Sequence, residues 1–397
     1  MISQSEVQVS ADQKNVQNSG VCAGKLPENV QMISVERLIS EIRSGRVVAI
    51  RSGRSLVLAL PVEAMTGQLA GQLELLARKT PRLVLPAPRL RSLGLDRTKA
   101  GVIAAPRLNL ERLTMLSMEQ GARFDAPVAN ASKLDLAALE LVHLALVHPS
   151  VLVVPVSASS LPLFNALMAD ANDIMAYRNA KSQGLKLISR APVPLEDAAS
   201  TEFVVFRGGE GMRDQVAIVI GEPDLNEPVT VRLHSACLTG DLFGSLKCDC
   251  GDQLRNTVKY MSENGGGILL YLDQEGRGNG LSNKIRAYRL QAAGLDTYDA
   301  DEVIGFDHDQ RQFDFAAAML HQLGVKSVRI MTNNPNKVEA LKSAGLDVAA
   351  EQRIEGRQND FNVRYLSTKR DRAGHFLTVD EPDVDGSLPP DSRNGAD

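Results

Sequence analysis

Sulfur is scarce in this sequence: four cysteines in 397 residues. Long apolar runs are missing too, so no stretch is fit to span a bilayer as a helix. The first residues, MISQSEVQVSADQKNVQ, are polar and lack the basic-then-apolar order of a secretory signal. These absences point to the cytoplasm, where thiols stay reduced and disulfides are disfavoured. Charge of one sign is not in excess. A formal net charge of −4 gives no general reason to expect nucleic acid or a membrane as partner. Internal repeats are absent as well.

What is present suits a soluble globular protein long enough for two domains, each burying its own core. Residues 1–30 show neither helical nor strand period and are expected to form a disordered leader. Order begins at SVERLISEIRSGR, where Val35, Leu38, Ile39 and Ile42 make one helical face, with Ser34 as the expected N-cap. VVAI and LVLAL read as strands, and LDLAALELVHLALVHP as a second amphipathic helix leading into VLVVPV. The alternation gives an expected fold of the α+β or α/β class, in layers. The proline-bearing ISRAPVPLEDAAS, about 188–200, is the expected linker between a domain at 31–187 and one at 188–377. Beyond it FVVFRG, VAIVIG and VTVRLHS predict a sheet or a barrel. From GGGILLYL onward the pattern is strand–loop–helix, with helices stopped by Gly294, Gly324 and Gly345. Residues 378–397, rich in Asp, Pro and Gly, are expected to be a disordered acidic tail.

Three of the four cysteines fall in HSACLTGDLFGSLKCDCG, residues 234–251. Cys248 and Cys250 form a Cys-x-Cys pair, too strained to bridge easily. In a reducing compartment three gathered thiolates suit a soft divalent metal, and zinc above others. Three protein ligands leave a fourth position for water, the catalytic arrangement. Closure by His234 or a distant residue would instead make a structural site, and plain core cysteines are the third reading. Thr239, Gly240 and Asp241 form a polar loop better suited to a site than to a core. The signature of zinc deaminases is missing, since Ala236 stands where their Glu would and the later pair is Cys-x-Cys.

Two loops suit phosphate. In DQEGRGNGLSNKIRAY, residues 273–288, Gly276, Gly278 and Gly280 allow close backbone approach, and the helix start that follows favours an anion. Arg277 offers a forked cation and Glu275 an acceptor for a base or ribose; a plain turn is the alternative. MTNNPNK repeats the plan, with Thr332 at a strand end and Lys337 at a helix start, or else a capped turn. Together with Arg232 and the sulfur cluster, these loops make a nucleoside triphosphate the expected substrate. Read alone, Tyr288 is a helix-core residue, Asp309 and Arg311 belong to a solvated turn, and His308 is a surface residue.

Taken in order, RLHSACLTGDLFGSLKCDCGDQL, DQEGRGNGL, NKIRAY, GLDT, IGF, TNNPNKV and RYLSTK…GH resemble the GTP cyclohydrolase II family over about residues 188–377. The resemblance implies one zinc ion per subunit on Cys237, Cys248 and Cys250. It implies GTP contacts from Arg232, Leu233, His234, Ser235, Ala236, Gln253, Glu275, Gly276, Arg277, Thr297, Thr332 and Lys337. Tyr288 takes the place of the family's active-site tyrosine, Asp309 of its proton acceptor, and Arg311 of the arginine that attacks the α-phosphate. The implied reaction is the first committed step of riboflavin synthesis. It hydrates C8 of guanine, opens the imidazole ring and expels formate, while the triphosphate, neutralised by Mg²⁺, loses pyrophosphate. A homodimer is the family's usual state.

The sequence departs from the family at four places. Ala236 replaces a Glu, Asn279 an apolar residue, Gln312 an Asp, and QRIEG an Arg-Val-Pro. Two other readings follow from these departures: a GTP-binding regulatory paralogue without turnover, or a hydrolase that stops at the formamidopyrimidine. In the N-terminal half, SVERLISEIRSGRVVAI, RLRSLGL and LVHLALVHPSVLVVPV faintly resemble dihydroxybutanone phosphate synthase. That enzyme needs an acidic run after its first strand and a catalytic histidine. Here RSGRSLVLALPVEA follows the strand, and the first histidine of the chain is His143, on the expected helix. The half is therefore expected to be a catalytically dead relative, kept for stability, dimerisation or regulation.

Overall fold

The structure, a computed structural model, describes residues 28–122, 126–208, 213–307, 313–374 and 376. The expected tail, and all but the end of the expected leader, lie outside the described residues.

The N-terminal half runs α1 (Glu28–Arg43), β1 (Val48–Ser52), β2 (Ser55–Pro61), α2 (Gly67–Leu76), β3 (Arg82–Leu85), α3 (Ala87–Ser92), β4 (Gly101–Ala104), α4 (Leu110–Met118), β5 (Val128–Asn130), α5 (Lys133–Leu144), β6 (Val151–Pro155), β7 (Met168–Asp170) and α6 (Ala171–Gln183). Its strands form one sheet in the order β5-β4-β3-β6-β2-β1-β7. LVLAL and VLVVP are unbroken apolar runs because helices cover both faces of the sheet. Val57, Ala59, Val151 and Val153 pack in a core with α1, α5 and α6. Their neighbours Leu58, Leu60, Leu152 and Val154 pack with α2, α3 and α4. The α1 face read from the sequence is buried, but the helix begins at Glu28. Ser34 therefore lies inside it and is not its cap. Met32 packs on the same core, which extends the helix toward its N-terminus.

The C-terminal half runs β8 (Lys186–Pro192), β9 (Thr201–Arg207), β10 (Asp214–Ile220), β11 (Val229–Ser235), α7 (Leu238–Asp241), α8 (Cys250–Glu263), β12 (Gly267–Leu272), α9 (Leu281–Ala292), α10 (Thr297–Val303), α11 (Asp314–Gln322), β13 (Ser327–Met331), α12 (Pro335–Ser343), β14 (Asp347–Gln352) and α13 (Val363–Ala373). These strands form a second sheet, β14-β13-β11-β12-β10-β9-β8. Of the two expected forms, sheet or barrel, it is an open sheet. The expected linker is in part strand, since residues 189–192 pair with β9. As an edge strand, β8 tolerates Pro192, whose missing N–H costs nothing on the unpaired side. Strands β14, β13, β11 and β12 are parallel, whereas β10 and β9 continue the sheet antiparallel. A parallel array binds ligands in the crevice beyond the C-terminal ends of its strands. Here β11, β12 and β13 run into the segments that carry Cys237, Glu275 and Thr332. Among the described residues, no helix is long and apolar enough to cross a membrane.

Candidate active site

Cys237 follows β11, Cys248 lies in the turn before α8, and Cys250 opens that helix. Their sulfurs all lie within 4.8 Å of one another, with Cys237 Sγ and Cys248 Sγ 3.7 Å apart. Glycine at 240 makes this possible, because a Cβ there would stand 3.1 Å from Cys237 Sγ. The thiols compete for negative charge. Bonds from Cys248 and Cys250, against burial and helped by Lys284, hold Cys237 far below the usual thiol range. The bond with Cys237 is also the leading cause that pushes Cys248 up to about 11 and Cys250 well above its ordinary value. A soft divalent cation would relieve that competition and keep all three ionised, so the donor set fits zinc. His234 is turned elsewhere: its Nε2 lies 3.1 and 3.2 Å from the two carboxylate oxygens of Asp241. Asp241 also accepts the Cys237 backbone N–H at 2.9 Å and the Tyr271 hydroxyl at 3.0 Å, fixing the start of the cysteine loop.

A cavity of about 370 Å³ opens beside the sulfurs. Its walls bring the three cysteines together with Arg232, His234, Ser235, Ala236, Gln253, Glu275, Gly276, Arg277, Tyr288, Thr297, Thr332 and Lys337. Leu233 stands apart from these. Strand alternation turns its side chain into the sheet core, and its carbonyl accepts the Lys337 ammonium at 2.5 Å. Asp309, Arg311 and Gln312 lie outside the described residues.

Cations dominate one wall. Arg232 on β11 is buried, donating to the Met331 carbonyl at 3.1 Å and to Gln253 Oε1 at 2.5 Å, while its Nε has no partner among the described residues. Burial lowers its pKa to about 10, which leaves it charged at neutral pH. In the Gly-rich loop, Gly276 and Arg277 both adopt left-handed backbone, with φ of 62° and 60°. That conformation is ordinary for glycine and uncommon for arginine. It is held by the Arg277–Asp301 ion pair at 2.8 Å and by the rings of Tyr298 and Tyr365 beneath the guanidinium. Glu275 accepts from the backbone N–H of Leu238 at 2.6 Å and of Gly276 at 2.9 Å, and from Lys284 at 2.9 Å. It therefore fastens the Gly-rich loop to the cysteine loop. The ring of Tyr288 lies 5.0 Å from Lys247 Nζ and 5.7 Å from Lys284 Nζ, and burial raises the pKa of its hydroxyl.

Several residues of the site were not singled out from sequence. Lys284 reaches Cys237 Sγ at 3.1 Å and Thr239 Oγ1 at 3.0 Å. Burial opposes its charge, but Cys237, Tyr288 and Glu275 outweigh burial and raise its pKa. Its place in NKIRAY, one helical turn before Tyr288, was the available signal. Asp301 lies one turn after Thr297 on the same face of α10 and was open to the same reading. Tyr365 and Arg372 reach the cavity from α13, where no local spacing announces them.

Fold and site together define a two-sheet α/β protein with a metal-competent cysteine cluster and a cation-bearing cavity beyond the C-terminal ends of the parallel strands of a mixed sheet. A family model for GTP cyclohydrolase II matches residues 186–353. A GTP cyclohydrolase-2 from Xylella fastidiosa (strain 9a5c) is 41% identical over 370 residues, covering 92% of this chain and 92% of its own. Another from Azospirillum brasilense is 36% identical over 382 residues, covering 88% of this chain and 95% of its own. This chain belongs to the GTP cyclohydrolase II family, a family of enzymes. Among solved structures, a two-domain 3,4-dihydroxy-2-butanone 4-phosphate synthase from A. baumannii, RibBX, covers 81% of this chain and 99% of its own at 14% identity. Its TM-score of 0.32 is too low to bear on the fold.

Proposed function

We propose that the chain is a zinc-dependent GTP cyclohydrolase II of the cytoplasm. It would convert GTP to 2,5-diamino-6-hydroxy-4-(5-phosphoribosylamino)pyrimidine, formate and pyrophosphate, the first step of riboflavin biosynthesis. One observation carries the reading: a three-sulfur group, with no fourth donor among the described residues, opens onto the cavity that holds Arg232, Arg277 and Lys337. One zinc ion on Cys237, Cys248 and Cys250, when bound, supplies an activated water and a Lewis acid to that cavity.

The chain's own residues supply the rest. Arg232, Arg277 and Lys337 bind the triphosphate, together with Mg²⁺, the Gly276 backbone and the Thr332 hydroxyl. Gln253, Thr297 and the strand end from Arg232 to Ala236 orient the nucleoside. Tyr288, kept protonated by burial, delivers a proton to the imidazole nitrogen as the ring opens. Asp309 is the proton acceptor, and pyrophosphate leaves by in-line displacement at the α-phosphorus, either by water directly or by Arg311, whose P–N bond water then hydrolyses to release the monophosphate. The same reading divides the chain near residue 187 into a catalytic domain and a catalytically dead N-terminal domain, and makes the working form a homodimer.

Formate released from GTP by the zinc-loaded chain tests this function. Ala236 favours one competing outcome, because it lines the cavity without bringing the carboxylate that the family has there. A product that keeps its formyl carbon would mark a hydrolase stopping at the formamidopyrimidine. GTP binding with no formate would mark a regulatory paralogue.

A further inference from the structure

The two halves meet where α3 packs on α10, and the contact is built around two arginines of α3. Arg89 is 1% exposed, and its bonds run to the ends of two helices. It donates to the carbonyls of Met115, Leu116 and Glu119 at the end of α4, and to that of Val303, the last residue of α10. One guanidinium thus caps a helix C-terminus in each half, where the helix dipole favours a cation. Two residues on, Arg91 holds Glu302 at 2.8 Å and Asp307 at 3.0 Å. Between these grips lies Gly305, where a Cβ would stand 3.0 Å from Pro149 and 3.1 Å from Pro86 of the N-terminal half.

The gripped segment matters to the cavity. Thr297 and Asp301 of α10 line it, and Asp301 pairs with Arg277 of the Gly-rich loop at 2.8 Å. Asp307 directly precedes the stretch that contains Asp309 and Arg311. The Gly-rich loop is backed in the same way, since Asn283 ties the Asn279 carbonyl at 2.9 Å to the Val147 carbonyl at 3.3 Å.

We propose that the N-terminal half is a positioning unit for the nucleotide site, with Arg89 and Arg91 as positioning residues. By fixing the far end of α10 and the turn behind it, they keep Thr297, Asp301 and Arg277 in place for the triphosphate. The inference rests on reading the cavity as the GTP site. A surface ion pair is worth little to global stability, so Arg91, whose side chain is 31% exposed, can be removed without unfolding the chain.

The test uses the full chain with Arg91→Ala, Arg91→Lys, Asp307→Ala and the Arg91→Ala/Asp307→Ala double variant. Two quantities are read: amide hydrogen exchange over residues 297–307 in the nucleotide-free protein, and KM and kcat for formate release from GTP. Arg91→Ala should speed exchange across 297–307 about tenfold, with the amides of β11 and β12 unchanged, and should cost about tenfold in kcat/KM through misplaced cavity groups. Arg91→Lys should recover part of both, and the double variant should be no worse than the worse single one. Exchange at 297–307 equal to wild type, or loosening spread evenly over β11 and β12, would overturn the proposal. Wild-type protein that releases no formate would instead count against the assigned reaction, and the exchange result alone would then decide the proposal.

Discussion

Gly240 lies so close to Cys248 that a Cβ built on it would stand 2.7 Å from the Cys248 sulfur. The sulfur trio therefore depends on the absence of a side chain at 240 as much as on the thiols themselves. Gly240→Ala should push Cys248 out of reach and weaken zinc binding by about 10- to 100-fold, the usual cost of disturbing the groups that orient metal ligands. Zinc retained against a graded chelator would measure this, and full retention would show that the loop yields at no cost.

Lys284 and Glu275 form a pair with side chains only 10% and 11% exposed. Removing one partner of a buried pair costs about 3–5 kcal/mol, because the other charge is left uncompensated. Lys284→Met should lower the urea midpoint accordingly, and adding Glu275→Gln should restore part of the loss. Strictly additive losses would mean that the two do not act as a pair.

For Tyr288→Phe the expected loss falls on the chemical step. Without the hydroxyl, kcat for formate release should drop about 10²-fold or more, since a general acid contributes on that scale. KM for GTP should change little, because the ring and its neighbours Lys247 and Lys284 remain. Unchanged turnover would remove Tyr288 from the mechanism.

His148 gives a pH dependence. It is buried beside the contact between the halves, with Nδ1 3.0 Å from Ser150 Oγ, and burial followed by the charges of Arg286 and Arg89 lowers its pKa from 6.5 to about 3. The folded chain keeps it neutral, while the unfolded chain protonates it below 6.5. Its stabilising contribution is thus complete above pH 6.5 and is lost as the pH falls toward about 3. Across that window His148→Asn should reduce the slope of unfolding free energy against pH by about 1.4 kcal/mol per pH unit, one proton's worth. An unchanged slope would show that His148 is not buried neutral.

Much of the site could be read from the sequence because its chemistry is local. Cys237, Cys248 and Cys250 are neighbours in sequence, and the glycines of the 276–280 loop sit directly between a strand and a helix. The strict apolar–polar alternation of VTVRLHS was likewise a legible sign that Leu233 turns into the core with Val229 and Val231 while Arg232 and His234 face the cavity. Other features depend on partners far along the chain. The proline-bearing stretch near 190 looked like a linker because an edge strand follows the same composition as a loop. Tyr365 and Arg372 become part of the cavity only when α13 folds back, with Arg372 3.1 Å from both Asp296 and Asp299 of the α10 start. The role of Arg89 was equally hidden, because both helix ends it caps are remote in sequence.

X-ray absorption at the zinc edge of the purified chain tests the central claim most directly. One zinc per chain, surrounded by three sulfurs at about 2.3 Å and one lighter oxygen or nitrogen donor displaced by added ligand, is the predicted result. A fully protein-bound four-donor shell, or a protein that takes up no zinc, would contradict it.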